Sequence, residues 1–486
     1  MAAATMSDGG RAARGARVTL GGQAVKFALQ LTSTVLLARL LSPEDFGLFA
    51  MVLAVTGFAA LLGDFGLSNA AVQAERISAE QRSNLFWIST SVGAVLYLGF
   101  FFAAPVIEAF YRVDGLTIVV RVMAIGFVLS ALTSQFTAHL TREMSFGRLA
   151  LIDISAQAAG LGTALLFAIN GAGYWSLVGQ QLAAAAMLLA LTAVLSRWLP
   201  LLPHRAPMRP LLTFAANSFG VQALSYVSGN VDSVALGRTS GPDALGLYDR
   251  AYQLFKIPVQ QIAAPLTRVA LPILSRRQSD RAVMSRYVVK AQLGMTYVLG
   301  AAFCLGAALA SPVIELALGS QWTSAAAIFA ILALGGVFQV MGYVYYWSFL
   351  ACGLTGLQLR FSLVTRGLMV VLIIIGALFG PLGVAVAVAS SLALNWVVLS
   401  LFPMRRTGLD VGRIVRTGLR GIAVNVLMAA TVWGVDSLLF NDLIHIVRIL
   451  IGVGIGALFY VFAAAVVKPV RRDAKEIVHV VRRSFR

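Results

Sequence analysis

The sequence predicts an all-α polytopic membrane protein with about fourteen transmembrane helices, in two parallel six-helix bundles plus two C-terminal helices. The first observation is composition, because 59% of the 486 residues are hydrophobic and only 12% are charged, whereas a soluble domain carries about 25% charged residues. The other two are long apolar runs and an uneven distribution of Lys and Arg. A soluble enzyme, a secreted disulfide scaffold and a disordered protein are excluded.

The apolar runs are long enough to cross a bilayer, because a hydrocarbon core of ~30 Å needs ~20 apolar residues per helix. Charges, Gly and Pro separate fourteen of them. The predicted spans are 18–40, 45–67, 85–107, 116–138, 149–169, 174–196, 211–236, 245–270, 291–311, 324–350, 361–380, 383–403, 418–440 and 446–467. An even number of spans places both termini on the same side of the membrane.

The basic residues set the orientation, because cytoplasmic loops retain Lys and Arg. With the N-terminus inside, 27 of the 38 Lys and Arg residues fall in inner loops and tails, and only Arg39, Arg112 and Arg238 fall in outer connections. Both termini are therefore predicted to be cytoplasmic. The net charge of +18 is read as this topogenic pattern facing anionic lipid headgroups, and not as a nucleic-acid-binding surface.

The two ends of the chain are predicted to be cytoplasmic tails. Residues 1–17 lack the short apolar segment and cleavage site of a signal peptide. In residues 468–486, apolar side chains recur at helical spacing between basic ones. This pattern favours a basic amphipathic helix on the inner membrane surface, with docking of a partner as the alternative. The apolar positions are Val470, Ala474, Ile477, Val481 and Phe485.

An internal repeat divides the chain into two halves. The segment LARLLSPEDFGLF at 37–49 aligns with LGRTSGPDALGLY at 236–248, and PVIE occurs at 105–108 and again at 312–315. Because the offsets are similar and the paired segments share a membrane side, we expect bundles at 18–200 and 205–405 and two additional helices within 418–467. Parallel halves are typical of transporters that bind substrate between them near the midplane.

Polar side chains form one stripe in each half, on faces where a charge is costly unless it lines a cavity. The first stripe consists of Gln23, Lys26, Gln30 and Ser33, and the second of Asp249, Gln253, Lys256 and Gln260. Three arginines accompany them, namely Arg39, Arg250 and Arg268. The Lys and Arg residues and the glutamines of these stripes are the candidate substrate-binding residues.

Purely structural roles of these charged residues are alternatives to substrate binding. The three arginines could pair with acids or extend to headgroups, whereas Lys26 and Lys256 lie deeper and favour a cavity. Asp64 and Asp232 are candidates for ion coupling, for salt bridges or for helix-end caps. Because cations in and near the spans outnumber acids, the cavity suits an anionic group such as a diphosphate and suits a cationic drug poorly.

The motifs of common enzymes are missing from the sequence. There is no G-x-x-x-x-G-K-[ST] loop, no His/Cys/Glu grouping with metal-ligand spacing and no G-x-S-x-G elbow. The outer connections are also shorter than the catalytic loop of an envelope polymerase or ligase. We therefore expect no enzymatic activity, no metal and no cofactor.

The segments LLARLLSPEDFGLFAMVLAVTGFAALLGDFGLSNAAVQ at 36–73 and LGLYDRAYQLFKIPVQQI at 245–262 resemble the Wzx-type polysaccharide flippases. These belong to the multidrug/oligosaccharidyl-lipid/polysaccharide superfamily, and the likeness is to its colanic-acid- and succinoglycan-exporting branch. The resemblance covers about the first ten spans. It implies a flippase for undecaprenyl-diphosphate-linked oligosaccharides in the bacterial inner membrane, with a basic lumen at Lys26, Arg39, Arg250, Lys256 and Arg268.

The resemblance also implies two bundles that open alternately to the two sides, glycosyltransferases upstream, and a polymerase and co-polymerase downstream. The rivals are a multidrug or cation-coupled exporter of the same superfamily, an envelope polymerase or ligase, and a peptidoglycan-precursor flippase. Two energy sources for transport are alternatives. Either H⁺ or Na⁺ binds at Asp64 or Asp232, or the membrane potential drives the anionic headgroup outward.

Overall fold

The computed structural model describes the backbone of residues 2–64, 66–440 and 443–484, and the side chains of 21–57, 66–216, 219, 222, 226, 229–440 and 443–479. Every regular element in these ranges is helical. Eleven of the described helices are long and apolar enough to cross a membrane. The predicted count of fourteen is not confirmed, in part because residues 229–275 form a single candidate.

The chain divides into two compact units, Met1–Gly246 and Leu247–Arg486. In the first unit, α4 packs along α5, α6 along α7, and α1 against α6. Its helices are α1 (Ala2–Leu40), α2 (Pro43–Asp64), α3 (Leu67–Gln73), α4 (Ala79–Tyr111), α5 (Leu116–Arg142), α6 (Phe146–Ile169), α7 (Trp175–Ser196) and the part of α8 (Arg209–Pro258) that precedes residue 247. The predicted bundles at 18–200 and 205–405 stay predictions.

In the second unit, α13 is the central helix and packs against α9, α11 and α15. The end of α8 leads into a π-helix at Val259–Ala263, and a second π-helix covers Met295–Gly300. The α-helices are α9 (Ala264–Ser275), α10 (Arg281–Gly294), α11 (Ala301–Ala308), α12 (Ala310–Leu318), α13 (Ala325–Ala351), α14 (Thr355–Ala377), α15 (Gly380–Leu401), α16 (Val411–Leu439), α17 (His445–Val466) and α18 (Lys468–Ser484). Short 3₁₀ segments lie at Ser320–Trp322 and Pro403–Thr407.

The two copies of the repeated segment contact each other within the first unit. A Cβ placed on Gly47 of α2 would lie 1.7 Å from the carbonyl oxygen of Pro242, and one placed on Gly246 of α8 would lie 1.8 Å from that of Pro43. Any side chain at either position would therefore force the two backbones apart. The contact is reciprocal, which explains why the Pro and the Gly recur together in the repeat.

Helix α8 is interrupted at Gly241, within the connection that the sequence predicts between the spans 211–236 and 245–270. Gly241 has φ 83° and ψ −176°, a conformation that is open to glycine and strained for other residues. The interruption falls within the second copy of the repeat, one residue before Pro242, whose carbonyl group meets Gly47 of α2.

The C-terminal helix α18 folds back onto its own unit. Val470 and Ile477 belong to a hydrophobic cluster with Leu293 and Tyr297, so these two side chains of the predicted apolar face pack against the protein. The reason is a buried acid on the same face, since Asp473 binds Arg420 through two hydrogen bonds of 2.6 and 2.7 Å. The location of the helix on the inner membrane surface stays a prediction. Val481 and Phe485 of the predicted apolar face lie outside the described side chains.

Candidate functional site

The polar stripe of α1 is tied to two neighbouring helices of the first unit. Lys26 Nζ lies 2.9 Å from Asp153 Oδ2 of α6, and both side chains are 45% exposed. Ser33 is buried and accepts a hydrogen bond of 2.8 Å from the amide of Gln180 in α7. The acid next to Lys26 neutralises it, and the exposure of both groups leaves the pair open to exchange with another anion.

Gln23 and Gln30 of the same stripe are exposed. Each carries an amide that both donates and accepts hydrogen bonds. They lie about one helical turn on either side of Lys26, since α1 advances 1.5 Å per residue. The stripe therefore presents two adaptable polar groups flanking an ion pair.

Arg39 lies in the last turn of α1, and its side chain is exposed. A cation at this position interacts favourably with the carbonyl groups at the end of the helix. The next turn of the chain begins at Ser42, whose N–H and hydroxyl both donate to Asp45 Oδ2 at 2.9 and 2.7 Å. This capping contact fixes the start of α2 just beyond Arg39.

In the second unit the structure brings together three of the predicted residues near the end of α8. Arg250 Nη2 lies 2.6 Å from Asp249 Oδ2, and the two side chains are 9% and 21% exposed. Gln253 donates from its amide to the same carboxylate oxygen at 3.3 Å. Compared with Lys26 and Asp153, this pair is more buried and is held within one turn of one helix.

Lys256 lies over an aromatic ring, with its Nζ 4.0 Å from the centre of Tyr252. Tyr252 is stacked between Tyr248 and Phe255, with centroid distances of 5.5 and 5.6 Å. A cation at this distance is attracted to the face of the ring. The aromatic row thus orients Lys256 along α8.

The second stripe does not continue as one regular helix through Gln260 and Arg268. Gln260 falls in the π-helix Val259–Ala263, and Arg268 lies in the separate helix α9. A π-turn adds a residue to the helical repeat, so the regular α-helical spacing of the stripe ends at Pro258. Both side chains are exposed.

Of the two candidate ion-coupling acids, Asp64 and Asp232, the structure describes the side chain of Asp232. The side chain of Asp64 lies outside the described residues. Asp232 is buried, and its Oδ1 accepts a hydrogen bond of 2.9 Å from the N–H of Ser233. Among the described residues, no group of three His, Cys, Asp or Glu side chains could hold a metal ion.

The sequence placed Asp249 in the second stripe without pairing it with Arg250, and it did not indicate Asp153 as the partner of Lys26. Lys26 and Asp153 are 127 residues apart, and no spacing rule connects them. Asp249 and Arg250 are neighbours in the chain, so their pairing could have been predicted from the sequence. The contact between the two glycines of the repeat and the opposite prolines was also missed, although the alignment already contained all four residues.

Known proteins resemble this chain over most of its length. The family described as "Polysaccharide biosynthesis protein" matches residues 36–327. The chain is 27% identical to the teichuronic acid biosynthesis protein TuaB of Bacillus subtilis, over 64% of this chain and 65% of the relative. It is 28% identical to the succinoglycan biosynthesis transport protein ExoT of Rhizobium meliloti, over 63% of each. Each of these two alignments spans slightly less than two thirds of the relative's own length.

A third relative is aligned over more of its length. The lipopolysaccharide biosynthesis protein WzxC of Escherichia coli is 23% identical over 80% of each chain. Among solved structures, the lipid II flippase MurJ in an inward closed conformation has a TM-score of 0.72 at 15% identity, covering 92% of this chain and 99% of that one. This likeness confirms the predicted all-α polytopic fold.

Proposed function

The chain belongs to the polysaccharide biosynthesis protein family, and from this premise we propose that it is a flippase for undecaprenyl-diphosphate-linked oligosaccharides. It moves them from the inner to the outer leaflet of a bacterial inner membrane, with both termini in the cytoplasm. The family membership and the relative WzxC confirm the resemblance to Wzx-type flippases. The single observation that carries the proposal is the half-exposed ion pair between Lys26 and Asp153 on the polar stripe of α1.

A cation inside a membrane protein needs an anionic partner at every stage of transport. Asp153 serves Lys26 in this way at 2.9 Å. A diphosphate carries more charge than one carboxylate and forms charge-assisted hydrogen bonds with Lys and Arg. We propose that the headgroup of the substrate displaces Asp153 when it binds, and that Asp153 returns when it leaves.

Arg250 and Lys256 of the second unit also bind the headgroup in the proposal. Arg250 keeps its buried contact with Asp249 and attracts a phosphate oxygen through its charge, and Lys256 turns from the face of Tyr252 toward the headgroup. The exposed amides of Gln23, Gln30, Gln253 and Gln260 then bind sugar hydroxyl groups, because an amide can serve a hydroxyl both as donor and as acceptor. Arg39 and Arg268 assist as exposed cations at the two ends of the path.

The proposed transport cycle is alternating access, in which the two bundles open in turn to the two sides of the membrane. The polyprenyl tail stays in lipid while the headgroup crosses. The membrane potential drives the anionic headgroup outward, with H⁺ or Na⁺ at Asp64 or Asp232 as the alternative source of energy. Glycosyltransferases supply the lipid-linked unit, and a polymerase with its co-polymerase consumes it.

The test replaces both deep lysines in a strain that depends on this protein for export. We expect the double variant Lys26→Gln and Lys256→Gln to lower polymer output at least about tenfold, because each lost cation removes a charge-assisted contact worth about 1.5–3 kcal/mol. Lipid-linked units should accumulate, and the amount of the variant in the membrane should be unchanged.

The matched control is the double variant Arg286→Gln and Arg360→Gln. These are two exposed arginines without a protein partner among the described side chains, and their loss changes the net charge equally. Export should be normal in this control. Normal polymer output from the lysine variant would remove Lys26 and Lys256 from the substrate path.

A further inference from the structure

A cavity of about 580 Å³ lies within the second unit, beside the Pro403–Thr407 turn that joins α15 to α16. Its walls are mostly apolar and include Leu401, Val415 and Leu419, and the last of these is 52% exposed. Arg405 and Arg416 also line it. A cavity of this size is typical of sites for small ligands, and its apolar walls exclude a purely ionic occupant.

The arginines around this cavity have no protein counterion. Within the described part of the chain, Arg405, Arg406, Arg413 and Arg416 form no ion pair and no side-chain hydrogen bond. The nearby acid, Asp410, is engaged as the cap of α16, where its Oδ1 accepts a hydrogen bond of 3.0 Å from the N–H of Arg413. Arg405 and Arg416, the two of these that line the cavity, are therefore exposed cations without a counterion among the described residues.

The first turn of α16 lies at the same place, since Val411 and Gly412 line the cavity. The N–H of Val411 donates to the carbonyl oxygen of Leu409 at 2.8 Å and that of Arg413 to Asp410, so of these first N–H groups that of Gly412 is left to point out of the helix. The positive end of the helix dipole favours an anion here. Arg405, Arg416 and this helix terminus together form a cationic rim around an apolar interior.

Trp396 adds an aromatic surface to the apolar lining of the cavity. It lines the cavity, is 3% exposed, and stacks on Tyr345 at a centroid distance of 6.1 Å. Its buried indole N–H has no acceptor among the described residues. Because this N–H has almost no accessible surface, the cavity meets the ring of Trp396 and not its donor.

We propose that this cavity binds one anionic glycerophospholipid from the surrounding leaflet. The phosphate lies between Arg405 and Arg416, and one acyl chain fills the apolar interior along the ring of Trp396. Such basic pockets between transmembrane helices are the expected sites for acidic lipid headgroups. The lipid is a resident ligand and not the transported substrate, so the inference goes beyond the proposed function.

The occupant is a phospholipid and not the polyprenyl carrier because the apolar space is limited. A polyprenyl chain is several times longer than an acyl chain and would extend far outside 580 Å³. The arginines lie in a connection that the sequence places on the cytoplasmic side, where the leaflet is rich in anionic lipid. Charge and volume therefore favour the same ligand.

The experiment measures binding by native mass spectrometry of the purified full chain in a neutral detergent. Phosphatidylglycerol, phosphatidylcholine with the same acyl chains, inorganic phosphate and a polyprenyl diphosphate are titrated in separate arms. We expect tight binding of phosphatidylglycerol only. The double variant Arg405→Gln and Arg416→Gln should weaken it about ten- to thirtyfold, since each surface cation contributes about 1 kcal/mol toward an anionic lipid.

A second variant, Val415→Trp, fills the interior and keeps both arginines, and it should weaken binding of phosphatidylglycerol while leaving any binding of phosphate unchanged. The control with Arg286→Gln and Arg360→Gln should bind as the unchanged protein does. If this control lost as much phosphatidylglycerol binding as the Arg405→Gln and Arg416→Gln variant, binding would depend only on general surface charge, and the proposal would be overturned. Binding of phosphate alone with equal affinity, or preferential binding of the polyprenyl diphosphate, would overturn it as well.

Discussion

Two kinds of ion pair hold helices together in this protein. Lys26 and Asp153 meet through one contact of 2.9 Å, and both are 45% exposed. Asp473 accepts two hydrogen bonds from Arg420 and a third of 2.9 Å from Tyr297, and its side chain is 7% exposed. A half-exposed single contact contributes at most about 1 kcal/mol, whereas a buried pair is expensive to break. The first pair is suited to exchange with a substrate, and the second to a permanent structure.

Arg448 and Asp436 belong to the second kind. Two hydrogen bonds of 3.0 and 2.6 Å join them between α16 and α17, and both side chains are nearly buried. The permanent pairs thus connect α16 to both α17 and α18. The exchangeable pair lies instead on a polar stripe that the sequence assigns to substrate.

The largest expected effect comes from removing the buried acid of α18. Asp473→Ala leaves Arg420 without its counterion and Tyr297 without its acceptor, which we expect to destabilise the docked helix by about 3 kcal/mol. Limited proteolysis should then cut α18 from the purified protein at a much higher rate. Glu476→Gln is the matched control, because its contact with Lys290 is 3.5 Å long and partly exposed. Equal protease resistance of Asp473→Ala would show that the pair does not hold α18.

The next effect concerns the reciprocal glycines of the repeat. Gly47→Ala places a methyl group 1.7 Å from the carbonyl oxygen of Pro242, and overpacking of this kind costs about 1–3 kcal/mol. We expect a lower melting temperature and strongly reduced export. Gly99→Ala is the control, since no atom lies within 4 Å of its Cβ position. A Gly47→Ala protein with unchanged melting temperature and export would mean that α2 and α8 do not need to approach so closely.

The fold class was predictable because the hydrophobic runs and the distribution of arginines are properties of the sequence itself. The repeat was also visible, and it aligned Pro43 with Pro242 and Gly47 with Gly246. Their reciprocal contact was not, because an alignment compares segments and does not indicate that they touch. The π-helix at Val259–Ala263 was missed for a similar reason, since one extra residue per turn leaves hydropathy unchanged.

The candidate site was predictable as a set of residues and not as a set of pairs. Polarity at helical spacing found Lys26 and Lys256, but the partner of Lys26 lies 127 residues away. The docking of α18 was unpredictable because its amphipathic pattern fits a membrane surface and a protein surface equally well. Only Asp473, an acid on the apolar face, distinguished the two, and its partner Arg420 is 53 residues distant.

The smallest expected effect on stability comes from Asp153→Asn, and it tests the exchangeable pair most directly. Because the pair is half exposed, its loss should change the melting temperature little. The freed Lys26 should bind an anionic headgroup more tightly, so the apparent affinity for the lipid-linked substrate in proteoliposomes should rise. Export should slow once release of the substrate becomes limiting, because no carboxylate returns to displace it. Weaker substrate binding by Asp153→Asn would contradict the exchange, since it would mean that Asp153 orients Lys26 and does not compete with the substrate.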